Sequence, residues 1–315
     1  MKNIQKNLFD NFFKLMPTFY EMESNFLSGV YKRYGDLEGG NIIIFFARDC
    51  HLEILRKREK DLDFDLSLDK FWNNHKEVRQ GKRKIILVSQ ETGLPKETAR
   101  RKILNLIKLK HLKRIDKNKL FWEPTSENKE TYMGIINEEI NYLSKFIYEQ
   151  AKLLSLNLPL SKIEKEIKKN YSFYWYHYLN VQLEYIKYWQ YKLNDLEMLL
   201  ISLQVIIQSL NFIKKKSNDS NNLALNKISK NLSIKDANIS ATSVSDITGI
   251  PRATCIRKLD KFVKLNMLEK DKSSKRYYLA VNQSALNTML DPEWMKGKIS
   301  ILANFSSIVI KGLAR

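Results

Sequence analysis

Catalysis would need histidines, cysteines or carboxylates in a working constellation, and the sequence does not group them so. His51, His75, His111 and His177 are scattered, with no partner at i+3 or i+4. Cys50 and His51 are neighbours, but adjacent residues on a helix point different ways. Cys50 and Cys255 offer neither metal-ligand spacing nor a disulfide framework, which fits a reducing compartment. There is no nucleotide-binding glycine loop, zinc-ligand cluster or nucleophile elbow. The expectation is therefore no enzyme, no cofactor and no metal. What the chain does concentrate is positive charge. Lys and Arg number 54 against 35 Asp and Glu, a net +19. Residues 81–122 carry 13 basic against 3 acidic side chains, and residues 244–278 carry 9 against 4. Codon bias towards lysine would spread the excess evenly; clustering is the footprint of a polyanion partner.

Those two basic stretches are copies of one another. Val88 to Trp122 aligns without a gap to Val244 to Tyr278 at an offset of 156, with 12 of 35 pairs identical. In each copy a short helix is expected to bury Ile85 and Val88, or Ala241 and Val244. Thr92-Gly93 and Thr248-Gly249 then end it, because glycine takes the left-handed conformation without a Cβ penalty. Pro95 and Pro251 are expected to start the next helix, where a missing N–H costs nothing. Ala99, Ile103, Leu106 and Ile107 fall on one stripe, as do Cys255, Leu259, Phe262 and Val263. Lys96, Arg100 and Arg101 fall opposite in the first copy, Arg252 and Arg257 in the second. Hairpins should follow, Lys113–Ile115 with Lys119–Trp122 and Glu269–Asp271 with Lys275–Leu279. Short helix, polar turn, basic helix and hairpin together spell a helix-turn-helix with a wing.

The segments TGLPKETARRKI and TGIPRATCIRKL resemble the recognition-helix region of bacterial winged helix-turn-helix regulators, especially those of the IclR and MarR type. The likeness covers under half of the chain. It departs from both families in carrying two copies, and nothing resembles the IclR effector domain. The resemblance implies double-stranded DNA as partner, read by a helix in the major groove while the wing reaches the backbone or minor groove. By position it points Lys96, Glu97, Thr98, Arg100 and Arg101 of the first copy at DNA, and Arg252, Ala253, Thr254, Ile256 and Arg257 of the second. From the hairpins it adds Lys117 and Lys119, and Lys272, Lys275 and Arg276. Residues shared between copies (Thr98 and Thr254, Arg101 and Arg257) are assigned to phosphates, and those that differ to bases.

Around the repeats the chain reads as mainly α. Expected segments are an N-terminal helical region 1–66, a first winged module 67–124, a central aromatic-rich region 125–216, a second module 217–284 and a helical tail 285–315. A helix over 3–35 should break or kink at Pro17, with Gly39-Gly40 as punctuation before a helix from 41 to 60. Ser67 should cap the next helix. Helices are expected over 132–154 and 171–193, then an apolar stripe Leu193, Leu196, Leu200, Leu203, Ile207 and Leu210. Leu223–Asn231 should open the second module, and Pro292-Glu293-Trp294 should interrupt the tail. Tyr and Trp of 171–191 read as core rather than as a ligand pocket or base-stacking platform. A helix, helix, winged-module order in both halves points to a duplication of the whole chain. Met198–Ile213 is interrupted by Ser202, Gln204, Gln208, Ser209 and Asn211 and falls short of a membrane span. The N-terminus lacks a signal-peptide pattern. The expectation is a cytoplasmic, sequence-specific DNA-binding transcriptional regulator, its effector and oligomeric state unassigned. The alternatives are a plasmid- or phage-type replication initiator and a non-catalytic interaction scaffold.

Overall fold

The computed structural model describes residues 2–78, 81, 83–116, 119–122, 124, 129–216, 234–280 and 292–313. In chain order its elements are α1 (Lys2–Asp10), α2 (Phe12–Tyr34), α3 (Leu37–Lys60), α4 (Leu68–Glu77), α5 (Ile85–Thr92), α6 (Lys96–Lys108), β1 (Leu112–Asp116) and β2 (Lys119–Trp122). There follow α7 (Lys129–Leu153), α8 (Leu160–Lys169), α9 (Tyr171–Leu193), α10 (Leu196–Lys216) and a 3-10 turn (Ile234–Ala237). The described chain ends with α11 (Ala241–Thr248), α12 (Arg252–Lys264), β3 (Leu268–Lys270), β4 (Tyr277–Leu279) and α13 (Pro292–Leu313). The described residues are mainly α, with two small antiparallel two-stranded sheets, β1–β2 and β3–β4.

These elements fall into two compact units, both discontinuous in sequence. One contains Met1–Lys32 and Glu197–Ala303; the other contains Arg33–Leu196 and Asn304–Arg315. In the second of these, α3 lies along α9, and α3 also supports α5, α6 and β2. Ile42, Phe45 and Phe46 of α3 and Tyr171, Trp175 and Tyr178 of α9 are buried. Each such side chain removed from water contributes roughly 1.5–3 kcal/mol. Tyr171, Tyr174, Trp175, Tyr178 and Tyr185 of the aromatic helix are therefore core, whereas Phe173, Tyr176, Tyr188 and Trp189 are half-buried and Tyr191 near its end is 86% exposed. Phe71 of α4 stacks on His51 at 4.9 Å and meets Tyr171 edge-on at 5.2 Å. Arg33 and Glu139 form a buried ion pair at 2.7 Å. Burial pushes the Glu139 carboxyl up to about 7 against the pull of the Arg33 guanidinium. In the other unit, α2 and α10 are joined by Gln204 Nε2 donating to Ser24 Oγ at 2.8 Å. Ile213 packs there with Ala237, Phe212 and Leu279.

Several boundaries differ from those read in the sequence. The N-terminal helix breaks at Asn11, and Pro17 lies inside α2. It removes a single ladder bond near the start of a helix whose Leu15, Met16 and Phe19 are buried, and burial outweighs that loss. Gly39 and Gly40 do not interrupt; they form the first turn of α3. Asp36 caps that turn by accepting from the Glu38 and Gly39 amides, and a Cβ on Gly39 would stand 2.8 Å from Asp36 Oδ2. Pro95 and Pro251 occupy the N-cap, one position before the helices they were expected to begin. Leu193 ends α9 rather than joining the next stripe, because Asn194 turns left-handed at φ 51°. Pro292, Glu293 and Trp294 do not break the tail; Pro292 opens α13 at the first helical position, where its missing N–H is harmless. Ser67 does cap α4, accepting from Lys70 N. Leu196–Ile213 has a mean hydropathy of 1.7 and is long and apolar enough to cross a membrane; 61% of that stretch is buried within the fold. The helix expected over Leu223–Asn231 lies outside the described residues.

Candidate nucleic-acid interface

The helix–glycine–helix–hairpin segments are held by the same internal bonds in both copies. Ser89 Oγ donates to Leu94 O at 2.6 Å, and Ser245 Oγ to Ile250 O at 2.7 Å. Thr92 Oγ1 donates to Val88 O at 2.6 Å, and Thr248 Oγ1 to Val244 O at 2.7 Å. Each threonine hydroxyl also accepts from the amide two residues on, Leu94 N or Ile250 N. Gly93 and Gly249 have φ of 73° and 75°, a conformation that costs other residues. After α6 and α12 the chain turns left-handed again at Lys110 (φ 60°) and Asn266 (φ 55°). Five of the 12 identities between the copies, at Val88, Ser89, Thr92, Gly93 and Pro95, are thus scaffolding for one turn and its two helices.

Three positions of each apolar stripe are buried, Ala99, Ile103 and Leu106 in α6 and Cys255, Leu259 and Phe262 in α12, while the fourth, Ile107 or Val263, is half-buried, as is Ile85 of α5. That fixes which faces are outward. Lys96, Glu97, Arg100 and Arg101 are exposed together on the first two turns of α6, with Thr98 half-buried. Arg252, Ala253 and Arg257 are exposed on α12, with Thr254 and Ile256 half-buried. Arg100 Nε lies 2.9 Å from Glu97 Oε2, an exposed i,i+3 pair of the kind worth under about 1 kcal/mol. Arg252 Nε donates to Thr242 Oγ1 at 3.0 Å, which ties the start of α12 to α11.

The hairpins differ in finish. β1 pairs with β2 from Leu112↔Trp122 to Asp116↔Lys119 with an irregularity near Arg114, and Lys113 and Arg114 are exposed. Lys119 lies in β2, while Lys117 lies outside the described residues. β3 pairs with β4, and Ile239 bridges to Tyr277 as a third strand position. The tip of this second hairpin is organised by Asp271, which accepts from Ser273 N and Ser274 N, both at 2.8 Å, and pairs with Lys235 at 2.9 Å. The Ser273 hydroxyl, the Ser274 amide and Lys235 hold the Asp271 carboxyl well below the usual range. Lys272, Lys275 and Arg276 are exposed around that tip, with Lys275 left-handed at φ 59°.

No family model, curated protein or solved structure matches this chain. Two residues of the site go beyond those that the sequence pattern points to. Lys102 and Lys258, identical in the alignment, face inward rather than outward. Lys102 Nζ lies 2.6 Å from Asp36 Oδ2 and 3.2 Å from Glu38 Oε2. Lys258 Nζ lies 3.1 Å from Glu197 Oε2. Burial would lower the Lys102 ammonium, but the two carboxylates outweigh it and hold its pKa above the ordinary lysine value. The signal available in sequence was the identity itself. Asp260, also missed, accepts from Lys270 Nζ at 2.8 Å and Tyr277 Oη at 2.9 Å, locking the second hairpin to α12. Among the described residues no group of three His, Cys, Asp or Glu side chains could hold a metal ion.

Proposed function

We propose that the chain is a sequence-specific double-stranded DNA-binding transcriptional regulator, its two helix–glycine–helix–hairpin segments acting as winged helix-turn-helix modules. The observation that carries this reading is the contrast between neighbours in the repeat. Ser89, Thr92, Gly93, Pro95 and Lys102, with their counterparts, are retained in both copies and each has an internal task. Arg101 and Arg257 are retained too, yet both are exposed and make no ion pair among the described residues. A cation kept twice at one position without an internal partner has its use outside the chain. Flanked by Lys96 and Arg100, or by Arg252, on the exposed face of the second helix, it fits a phosphate. The net charge of +10 over 81–122 and +5 over 244–278, from 13 − 3 and 9 − 4, supplies the long-range attraction.

Titration of the full chain on duplex DNA across salt tests the reading. Log affinity should fall by about 0.9 per neutralised phosphate for each unit of log salt. A flat response, or affinity unchanged by Arg101→Ala together with Arg257→Ala, overturns it. Bound fragments selected from genomic DNA should lie ahead of genes; iterated sites at a replication origin would speak for an initiator instead.

A further inference from the structure

The duplication extends beyond the basic segments. α2 and α9 are both 23 residues long. Each is followed by a left-handed residue, Gly35 at φ 66° and Asn194 at φ 51°. Each turn then leads through Asp-Leu-Glu, Asp36-Leu37-Glu38 or Asp195-Leu196-Glu197, into the next long helix. The offset here is 159 (194 − 35), against 156 (249 − 93) at the glycine turns, so the first copy carries three extra residues between them. The lysine tethers belong to the same scheme, since Lys102 reaches Asp36 and Glu38 and Lys258 reaches Glu197. One repeat is therefore a helix, a left-handed turn, a second long helix, and the helix–glycine–helix–hairpin segment it supports.

Chain order would place each first helix with its own repeat. The packing does otherwise. α2 of the first repeat, as far as Lys32, lies in the unit that contains α10 and the second basic segment; its last two residues, Arg33 and Tyr34, belong to the other unit. Ser24 there accepts from Gln204, and the Tyr31 ring is the nearest neighbour to the open side of Gly249. Conversely, α9 of the second repeat lies in the unit that contains α3 and the first basic segment. It runs along α3 and meets α5, and a Cβ on Gly93 would stand 3.2 Å from Lys187 Cγ. Each glycine turn is thus braced by a helix from the other repeat.

We infer that the chain is two fused copies of one repeat that have exchanged their first helices. The surface formed by a repeat's second long helix and its basic segment is an interface, and its partner is the first helix of another copy of the same repeat. Fusion supplies that partner within the chain. Neither basic segment is then an autonomous module, and a change in α2 at Ser24 or Tyr31 acts on the second segment rather than on the first, which is nearer in sequence.

The test uses the full chain with a protease site introduced at Leu156, in the exposed turn between α7 and α8. Ser24→Cys with Gln204→Cys, oxidised, should join the two cleavage fragments on a denaturing gel without reductant; either single variant should not. The uncut double variant should run as a monomer. Fragments that separate on dilution, that co-elute without cross-linking, or that cross-link only between chains overturn the exchange. A second readout does not depend on the cysteines. Tyr31→Ala should speed amide exchange in 241–252 and leave 85–96 unchanged, and the reverse pattern would equally sink the inference.

Discussion

Lys102 donates to Asp36 across 2.6 Å while the same carboxylate accepts from the Gly39 amide at 3.1 Å. One side chain thus caps α3 and anchors α6. Asp36→Ala should cost about 0.5–2 kcal/mol through the cap alone. Lys102→Met keeps the aliphatic stem and removes only the anchor. Under the DNA-binding reading it should weaken binding to all sequences but leave the salt slope as in the parent. Arg101→Ala should instead lower that slope by about 1. A Lys102→Met slope reduced by the same amount would make Lys102 a phosphate contact rather than a positioning residue.

Gly312 offers a stability test whose sign runs against helix propensity. Replacing glycine by alanine inside a helix ordinarily stabilises by about 1 kcal/mol. Here an added Cβ would collide with the Tyr174 hydroxyl, which donates to Glu166 Oε1 at 2.9 Å. Tyr174 is buried and α8 is linked to the last residue of α13 by Lys162 Nζ donating to Leu313 O at 3.1 Å. Gly312→Ala should therefore destabilise, by roughly the 1–3 kcal/mol of an overpacked core. Chemical denaturation of the variant beside its parent decides it; equal or greater stability would mean that Tyr174 moves aside freely.

His51 should make the protein acid-sensitive. It is fully buried between Phe71 and Tyr171, and neither ring nitrogen has a hydrogen-bond partner. Burial, with a smaller push from His75, lowers its pKa to about 3. The folded form keeps the ring neutral while the unfolded chain protonates it near 6.5. Stability from this group is complete above about 6.5 and falls as pH drops towards 3, by up to about 1.4 kcal/mol per pH unit. Glu139, raised to about 7, acts in the opposite sense, costing stability as pH climbs from about 4.5 to 7. The comparison is therefore between the parent and His51→Phe. The variant should lose less stability between pH 6.5 and pH 5. Parallel losses would show that His51 is protonated in the fold.

Much of the local structure was legible because it is set by local chemistry. Gly93 and Gly249 in the left-handed region, the buried stripes of α6 and α12 and the Ser67 cap follow from residue types and spacing. Gly39-Gly40 misled because Gly39 makes room for the Asp36 cap, which spacing does not reveal. Lys102 and Lys258 resembled the exposed lysines beside them, because burial by a distant helix leaves no periodic mark in a short basic helix. The exchange of α2 and α9 was out of reach for the same reason. Pattern tells which face of a helix is apolar, but two copies of one repeat present interchangeable faces.

The two proposed reading surfaces are not equivalent, and this gives the sharpest test of the DNA reading. Glu97 and Arg100 of α6 align with Ala253 and Ile256 of α12. In the free protein Glu97 and Arg100 are paired at 2.9 Å with both side chains largely exposed, so the pair opens at little cost. Arg100 is then able to make paired hydrogen bonds to guanine, and Glu97 to accept from cytosine. Ala253 and Ile256 offer only apolar contact, for example with a thymine methyl. The selected site should therefore have one half richer in G·C and the other in A·T, with no palindrome. Arg100→Ala should cost roughly 1–3 kcal/mol and relax preference at a single position. Arg101→Ala should weaken every sequence alike. Both variants can be run beside the parent on a randomised-site library. A palindromic consensus, or an Arg100→Ala profile identical to the parent's, removes α6 and α12 as readers of bases.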